Sequence, residues 1–234
     1  MELYPYTLKR SRRKTLAVQI TQEGTVKVMA PMRLPQSTIE RFLQEKQPWI
    51  LKHVSKAQER QRAKSQFGLQ PGDELWLLGK SYPLVYGNGK RANWDGQRFL
   101  VPEEPFEERR KKLIGLYRQM GREYLLKQVA HYSEKMGVTP QGVKISSAKK
   151  RWGSCSGRDS LNFSWRLIMA PPRAVEYVVV HELAHIREHN HSQRFWNIVE
   201  KQMPDYRQRQ ELLRQVYDRI ATENWDDPPQ QEER

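Results

Sequence analysis

The 234-residue chain has very little cysteine and no long apolar run, and both absences limit the classes of protein to which it can belong. Cys155 is the single cysteine, so no disulfide can form within the chain and a disulfide-stapled secreted fold is excluded. No run of about 18 apolar residues occurs, which excludes an ordinary transmembrane helix. Because the first residues, MELYPY, lack an apolar segment of signal-peptide type, we expect no signal peptide and a cytoplasmic location.

Positive charge is the clearest compositional excess, with a formal net charge of +14 at pH 7. Residues 1–70 carry 14 Lys and Arg against five Glu and no Asp, and the densest cluster runs from Lys9 to Lys14. Such a cluster attracts polyanions, which predicts weak, non-sequence-specific binding of nucleic acid. A solvated basic surface without a specific partner is the alternative explanation. Residues 223–234 reverse the sign and are predicted to be a disordered acidic tail.

Hydrophobic periodicity predicts an α+β protein. Residues 15–29 and 74–86 alternate as two hairpins, and a long helix begins at Pro35 between them. With a short strand at 98–101, these elements form a predicted β-rich N-terminal region, residues 1–103, packed on a helical core.

From residue 104 the pattern is mainly helical. A helix is predicted to end near Gly137, and two short strands, at 143–145 and 161–165, precede a helix that starts at Pro171-Pro172. A last helix begins near Asp205. Residues 104–222 are therefore predicted to form a compact helical core with a small sheet.

Residues 181–185 read HELAH, and this HExxH pattern is the most informative segment of the chain. On a helix, His181 and His185 lie one turn apart and can bind one ion from the same side. Glu182 follows the first histidine, which places its carboxylate beside a metal-activated water as a general base. The flanking residues are apolar and predict a buried helix, where two unrelated surface histidines are not expected.

The third metal ligand is predicted to be His191, ten residues after the first histidine. Glu188 and His189 are the other candidates, and His189 is expected to be exposed. The pattern HExxHxxGxxH turns the chain at a Gly, but Glu188 holds that position here, so Asn190 is predicted to make the turn in a left-handed conformation. Ser192 is predicted to cap the next helix. One divalent metal is expected, with Zn²⁺ favoured and Ni²⁺, Mn²⁺ and Co²⁺ left open.

Several segments together resemble the YgjP-like metal-dependent hydrolases, and the similarity extends over nearly the whole chain. They are SRRKT at 11–15, WI at 49–50, RWGSCS at 151–156, LN at 161–162, YVVVHELAH at 177–185, NHS at 190–192, FW at 195–196 and MPDY at 203–206. WGSC followed by HExxH is also similar to the SprT and Spartan zinc peptidases. The resemblance implies a gluzincin-like (zincin-type) peptidase core, with His181, His185 and His191 on the metal and Glu182 as base.

The resemblance leaves two substrate classes open. For a metallopeptidase acting on extended or unfolded chains, residues 161–167 are the predicted edge strand that pairs with substrate, and Tyr206 is a candidate oxyanion donor. For a nucleotide pyrophosphatase, the basic triplet just before Trp152 would neutralise phosphate charge. That triplet is Lys149, Lys150 and Arg151.

Each of these candidates also has an ordinary structural explanation. The basic triplet is equally typical of a solvated turn, Tyr206 of core packing and Cys155 of a small buried side chain. Asn162 is a further candidate for substrate binding. A nucleic-acid-associated protein with a structural metal is the third functional class, but a structural site is closed by four ligands and needs no base. The sequence leaves the oligomeric state open.

Overall fold

The computed structural model describes residues 3–225, and the α+β class predicted from the sequence is confirmed. The chain divides into two compact units, one made of residues up to 67 together with those from 221, the other of residues 68–220. By compactness, the second hairpin therefore belongs with the helical core, whereas the sequence-based division at 103 placed it with the N-terminal region. The predicted acidic tail lies outside the described residues from residue 226 onward.

The first unit consists of a three-stranded sheet and one long helix. Strands β1 (Tyr6–Ser11), β2 (Ala17–Ile20) and β3 (Val26–Pro31) are ordered β1-β3-β2, with β1 parallel and β2 antiparallel to β3. The predicted hairpin is β2–β3, and the predicted helix is α1 (Gln36–Gln66). Every second residue of β3 is buried and packs with apolar residues of α1, which closes a small core. This core comprises Val26, Val28, Ala30, Ile39, Leu43, Ile50 and Val54.

The second unit begins with a four-stranded sheet. Strands β4 (Glu74–Leu77), β5 (Lys80–Tyr86), β6 (Asn93–Trp94) and β7 (Phe99–Val101) are ordered β4-β5-β7-β6. The turn between β4 and β5 has positive φ at both central residues, Leu78 (48°) and Gly79 (79°), as tight hairpins require. The same turn donates two backbone N–H groups to carbonyls of residues 168 and 169, which explains why this hairpin belongs to the second unit.

A long helix and a second small sheet come next in the chain. Helix α2 (Phe106–Met136) ends near Gly137, as predicted, and Gly137 adopts the left-handed conformation (φ 61°). Strands β8 (Gly142–Ser146), β9 (Gly153–Cys155) and β10 (Ser160–Ser164) are ordered β8-β10-β9. The prediction that residues 161–167 form an edge strand is wrong. β10 is the central strand, with β8 parallel on one side and β9 antiparallel on the other, and residues 165–169 form a 3₁₀ helix.

Three helices complete the second unit. They are α3 (Pro172–Ala184), α4 (Gln193–Gln202) and α5 (Tyr206–Ile220). Pro172 occupies the first turn of α3, where its missing N–H removes no helical hydrogen bond. Val175, Val179 and Leu183 are fully buried along one stripe of α3, so this helix is anchored in the core of the unit. Over residues 3–225, no helix combines the length and apolar character needed to cross a membrane.

Candidate metal centre

Three histidine side chains converge at the end of α3. One ring nitrogen from each of His181, His185 and His191 lies within 4.8 Å of the other two, and the Nε2 atoms of His181 and His191 are 3.1 Å apart. His181 is in the last turn of α3, His185 is the helical residue just after it, and His191 lies two residues before α4. Residues ten apart in sequence therefore meet because the chain reverses between the two helices.

Hydrogen bonds fix the orientation of the two histidines from α3. The Nδ1 of His185 lies 3.1 Å from the carbonyl oxygen of Glu188, and the Nδ1 of His181 lies 3.4 Å from the hydroxyl of Tyr177. The Tyr177 hydroxyl also accepts a hydrogen bond of 2.7 Å from the Gln210 amide. When Nδ1 carries the proton in these contacts, Nε2 is left as the lone-pair donor in both rings. Outer partners of this kind orient the imidazoles that bind metals.

The reversal between the helices differs from the prediction in one respect. Helix α3 ends at Ala184, and backbone N–H groups of residues 186–188 bond to carbonyls of Leu183 and Ala184 in a tight turn. Asn190 was predicted to adopt a left-handed conformation, and this is wrong, because its φ is not positive. Its side chain makes the turn instead, since Oδ1 accepts the N–H of Ser192 at 3.0 Å. Ser192 caps α4 as predicted, accepting from the N–H of Phe195.

Aromatic rings support the three histidines from α4. The Phe195 ring is fully buried and lies 4.5–4.9 Å from all three imidazole centroids. Trp196 stacks on His191 with 5.8 Å between centroids and 25° between planes. Because His191 is itself exposed, its contacts with Phe195 and Trp196 hold its ring toward the other two histidines. His189 is exposed, as predicted.

The histidine set fits a divalent metal with nitrogen ligands. Ligand nitrogens about 2.0–2.1 Å from a tetrahedral Zn²⁺ are ~3.3 Å apart, close to the Nε2 separation seen here. Burial lowers the pKa of His181 to about 3 and also lowers that of His185, so both rings are neutral at neutral pH. Neutral imidazole is the form that binds metals. His181, His185 and His191 could therefore hold one such ion; no Cys, Asp or Glu of the described chain joins them.

Glu182 is the buried carboxylate beside the histidines, with 6% of its surface exposed. Burial raises its pKa to about 7, while the positive charge of Arg151 and a hydrogen bond from the N–H of Cys155 act in the opposite direction. A carboxyl group poised near neutral pH can both accept and return a proton. The site thus combines three neutral metal-ligand nitrogens with one group suited to acid–base chemistry.

Strand β9 shapes the space around that carboxylate. A Cβ placed on Gly153 would lie 2.6 Å from Oε1 of Glu182 and 2.7 Å from its Cγ. Only glycine therefore lets β9 approach so closely. Two residues on, Cys155 supplies the backbone N–H that Glu182 accepts, while burial raises the pKa of its own thiol to about 11. Cys155 is half-buried and lies outside the histidine cluster, so its thiol is not one of the clustered metal ligands.

The other predicted substrate residues are placed differently. Arg151 and Asn162 line one groove on the small sheet, whereas Lys149 and Lys150 are exposed in the loop between β8 and β9. Tyr206 is buried behind the site, with its ring stacked on Trp196 and its hydroxyl accepting from Arg207. Its role as an oxyanion donor stays a prediction.

Sequence reasoning missed the residues that position the site. Tyr177 precedes His181 by four residues, and helical spacing alone indicates that they share a face. Gly153 follows Trp152 in the segment quoted for the family resemblance, but its contact with Glu182 depends on how β9 packs on α3. The contribution of Trp196 depends on where α4 begins.

Comparison with known protein families agrees with this geometry. The family model described as "YgjP-like, metallopeptidase domain" matches residues 14–216. No curated protein matches the chain. Among solved structures, the metallopeptidase zymogen abylysin of Pyrococcus abyssi is similar with 21% identity and a TM-score of 0.37, over 42% of this chain and 97% of that one. By the extent of the family match, the chain belongs to the YgjP-like metallopeptidase family.

Proposed function

We propose that the protein is a metal-dependent peptidase that cleaves extended or unfolded chains, with Glu182 as its general base. The observation that carries this proposal is the meeting of His181, His185 and His191 within 4.8 Å, beside a buried Glu182, in a chain of a metallopeptidase family. A bound divalent ion would supply a Lewis acid that polarises the scissile carbonyl and activates water, and Zn²⁺ suits the three nitrogen ligands best.

The proton chemistry is assigned to Glu182. Its carboxylate would take the proton from the attacking water and return it to the leaving amine, because one buried carboxyl group with a pKa near neutrality can serve both steps. The N–H of Cys155 and the charge of Arg151 stabilise the ionised form that must be present before attack. The space at Gly153 allows the carboxylate to lie where β9 and α3 meet.

Strand β9 is the candidate for holding an extended substrate. It is an edge strand of its sheet, and two of its three residues contact Glu182. A peptide that adds to this edge by main-chain hydrogen bonds would pass beside the catalytic carboxylate. This assignment replaces the 161–167 segment, whose strand is central and has both edges already paired.

The test is hydrolysis of an unfolded protein substrate and of nucleoside triphosphates in parallel. Metal-loaded protein should cleave an unfolded casein-like chain, lose activity on chelation and regain it when metal is added back. A His181→Ala/His185→Ala variant should bind less metal and be inactive. Hydrolysis of nucleoside triphosphates without any peptide cleavage would assign the site to a nucleotide pyrophosphatase, and equal metal content in the variant would refute the ligand set.

A further inference from the structure

We propose that the outer face of the β8-β10-β9 sheet is an anion-binding subsite that selects an acidic side chain in the peptide substrate. The inference rests on the proposed peptidase function, because the anion is taken to be part of a peptide bound along β9. We call this face the outer groove and define it by five of its lining residues. They are Lys144, Arg151, Ser154, Ser160 and Asn162.

Sheet register brings the polar side chains of the outer groove together. Asn162 of β10 lies directly across from Lys144 of β8 and from Ser154 of β9. Residues opposite each other on neighbouring strands project to the same face, with Cβ atoms about 5 Å apart. The neighbours of Asn162 on β10, Leu161 and Phe163, point to the other face and are fully buried in the core. One face of this sheet is therefore core, and the other is a polar groove.

The outer groove has the charge of an anion site. It is lined by two cations, Lys144 and Arg151, and by several serine hydroxyls, and no Asp or Glu is among its lining residues. Both cations are exposed and can move to meet a ligand. Ser154 directly follows Gly153 on β9, and Gly153 lies against the side chain of Glu182, which places this end of the groove close to the catalytic carboxylate.

A peptide fits the outer groove better than a bare phosphate does. The Oδ1 atom of Asn162 is buried beneath the groove and has no hydrogen-bond partner among residues 3–225, so a ligand N–H that displaces the side chains around it would meet an acceptor below the donors. A peptide can satisfy both at once, with a main-chain or side-chain N–H for Asn162 and a carboxylate for the cations, whereas the donors and acceptors of a bare phosphate are all held within one small ion. The cavity volume of about 590 Å³ accommodates a side chain with its neighbouring peptide group.

The alternation of side chains along a strand links the groove to cleavage. In a peptide paired with the edge of β9, successive side chains point to opposite faces of the sheet. One set faces α3 and Glu182, and the alternate set faces Ser154 and Arg151 in the outer groove. Lys144 lies on β8, two strands from β9, and attracts an acidic side chain of the peptide over a longer distance. An acidic residue at an outward-facing position near the cleaved bond is therefore the predicted determinant of specificity.

The test uses fluorogenic peptides that share one neutral sequence and carry Glu, Gln or Lys at a single position, scanned across both sides of the cleaved bond. At low salt, metal-loaded protein should give a kcat/KM for Glu about fivefold above that for Gln at an outward-facing position, the range of an exposed ion pair. Added salt should reduce this ratio. Arg151→Gln should bring it near one, and Lys144→Glu should lower it and favour the Lys peptide. Lys127→Glu, an exposed lysine of α2 outside the groove, is the matched control and should keep the wild-type ratio.

A binding experiment separates failure of this subsite from failure of the proposed function. Labelled Glu and Gln peptides are titrated against the Glu182→Gln variant, with fluorescence anisotropy as the signal. Cleavage without a preference for Glu at any position, or a preference that survives both groove substitutions, overturns the subsite and leaves the peptidase intact. Arg151-dependent binding of the Glu peptide with no cleavage by the wild type overturns the peptidase and keeps the subsite. Arg151-dependent binding of inorganic phosphate, with no preference for the Glu peptide, overturns the peptide assignment.

Discussion

Replacing Gly153 by alanine should abolish most turnover while leaving the fold and the metal site in place. The added Cβ would lie 2.6 Å from Oε1 of Glu182, which is 0.8 Å less than the 3.4 Å at which ordinary contacts begin. The nearest atoms all belong to the Glu182 side chain and none to backbone, so the chain can relieve the clash by displacing the carboxylate. We expect unfolding to become easier by only about 1–2 kcal/mol, the lower part of the overpacking range.

The loss of activity should be much larger than the loss of stability. Misplacing a catalytic group by about 1 Å costs roughly 10²-fold in rate, so kcat should fall by about that factor with KM nearly unchanged. Metal content should stay at the wild-type level, because the three atoms nearest to the added Cβ all belong to Glu182. Thermal unfolding, elemental analysis and steady-state kinetics measure the three quantities.

Two controls make the reasoning refutable. Gly157→Ala lies in the loop after β9, where an added Cβ meets nothing within 4 Å, so it should leave activity and metal content unchanged. In a Glu182→Gln background, Gly153→Ala should cause no further loss of turnover, since the residue acts through that carboxylate. Wild-type kcat in the Gly153→Ala variant, or an equal additional loss in both backgrounds, would show that Gly153 does not position Glu182.

The remaining predictions concern the hydroxyl of Tyr177 that contacts His181, the thiol of Cys155 and the exposed cations near β1. Tyr177→Phe should weaken metal binding roughly tenfold in a chelator competition, as loss of an outer partner usually does; Tyr132→Phe, whose hydroxyl bonds to Glu176 away from the site, should not. Since burial raises the thiol pKa of Cys155 to about 11, the thiolate is scarce below that pH. Its alkylation at pH 8 should be about 10²-fold slower than that of a free thiol and should rise with pH up to about 11, and a free-thiol rate would contradict this. DNA binding should be weak and fall steeply with salt, and it should be lost on neutralising the exposed cations near β1, whereas salt-insensitive binding would contradict it. These cations are Lys9, Arg12 and Lys14.

The secondary structure around the site could largely be predicted because its signals are local. The apolar stripe of α3, the Pro at its start and the Ser192 cap each act within one or two helical turns, and the structure confirms them. The strand order could not be predicted. Leu161 and Phe163 indicate a strand with one buried face, but whether that strand is central or at an edge depends on its pairing with residues 142–146 and 153–155.

For the site, too, local features could be predicted from the sequence, and long-range contacts could not. The spacing of His181 and His185 fixes their relative position on a helix, so sequence alone brings them together. The position of His191 depends on a turn whose backbone conformation was wrongly predicted. Asn190 forms this turn through a hydrogen bond of its side chain and not through a left-handed backbone. Either arrangement reverses the chain. The contact of Gly153 with Glu182 joins two separate elements, and no local pattern encodes that distance.

The most direct measurement of the central claim is peptide hydrolysis by the wild type and by Glu182→Gln at matched metal content. The amide keeps the size of the side chain but cannot accept a proton, so only the step that needs a base is affected. We predict that both proteins bind one equivalent of divalent metal and that the variant cleaves an unfolded substrate at least about 10²-fold more slowly. A variant that carries the same metal and cleaves within tenfold of the wild-type rate would contradict the assignment of Glu182 as the base.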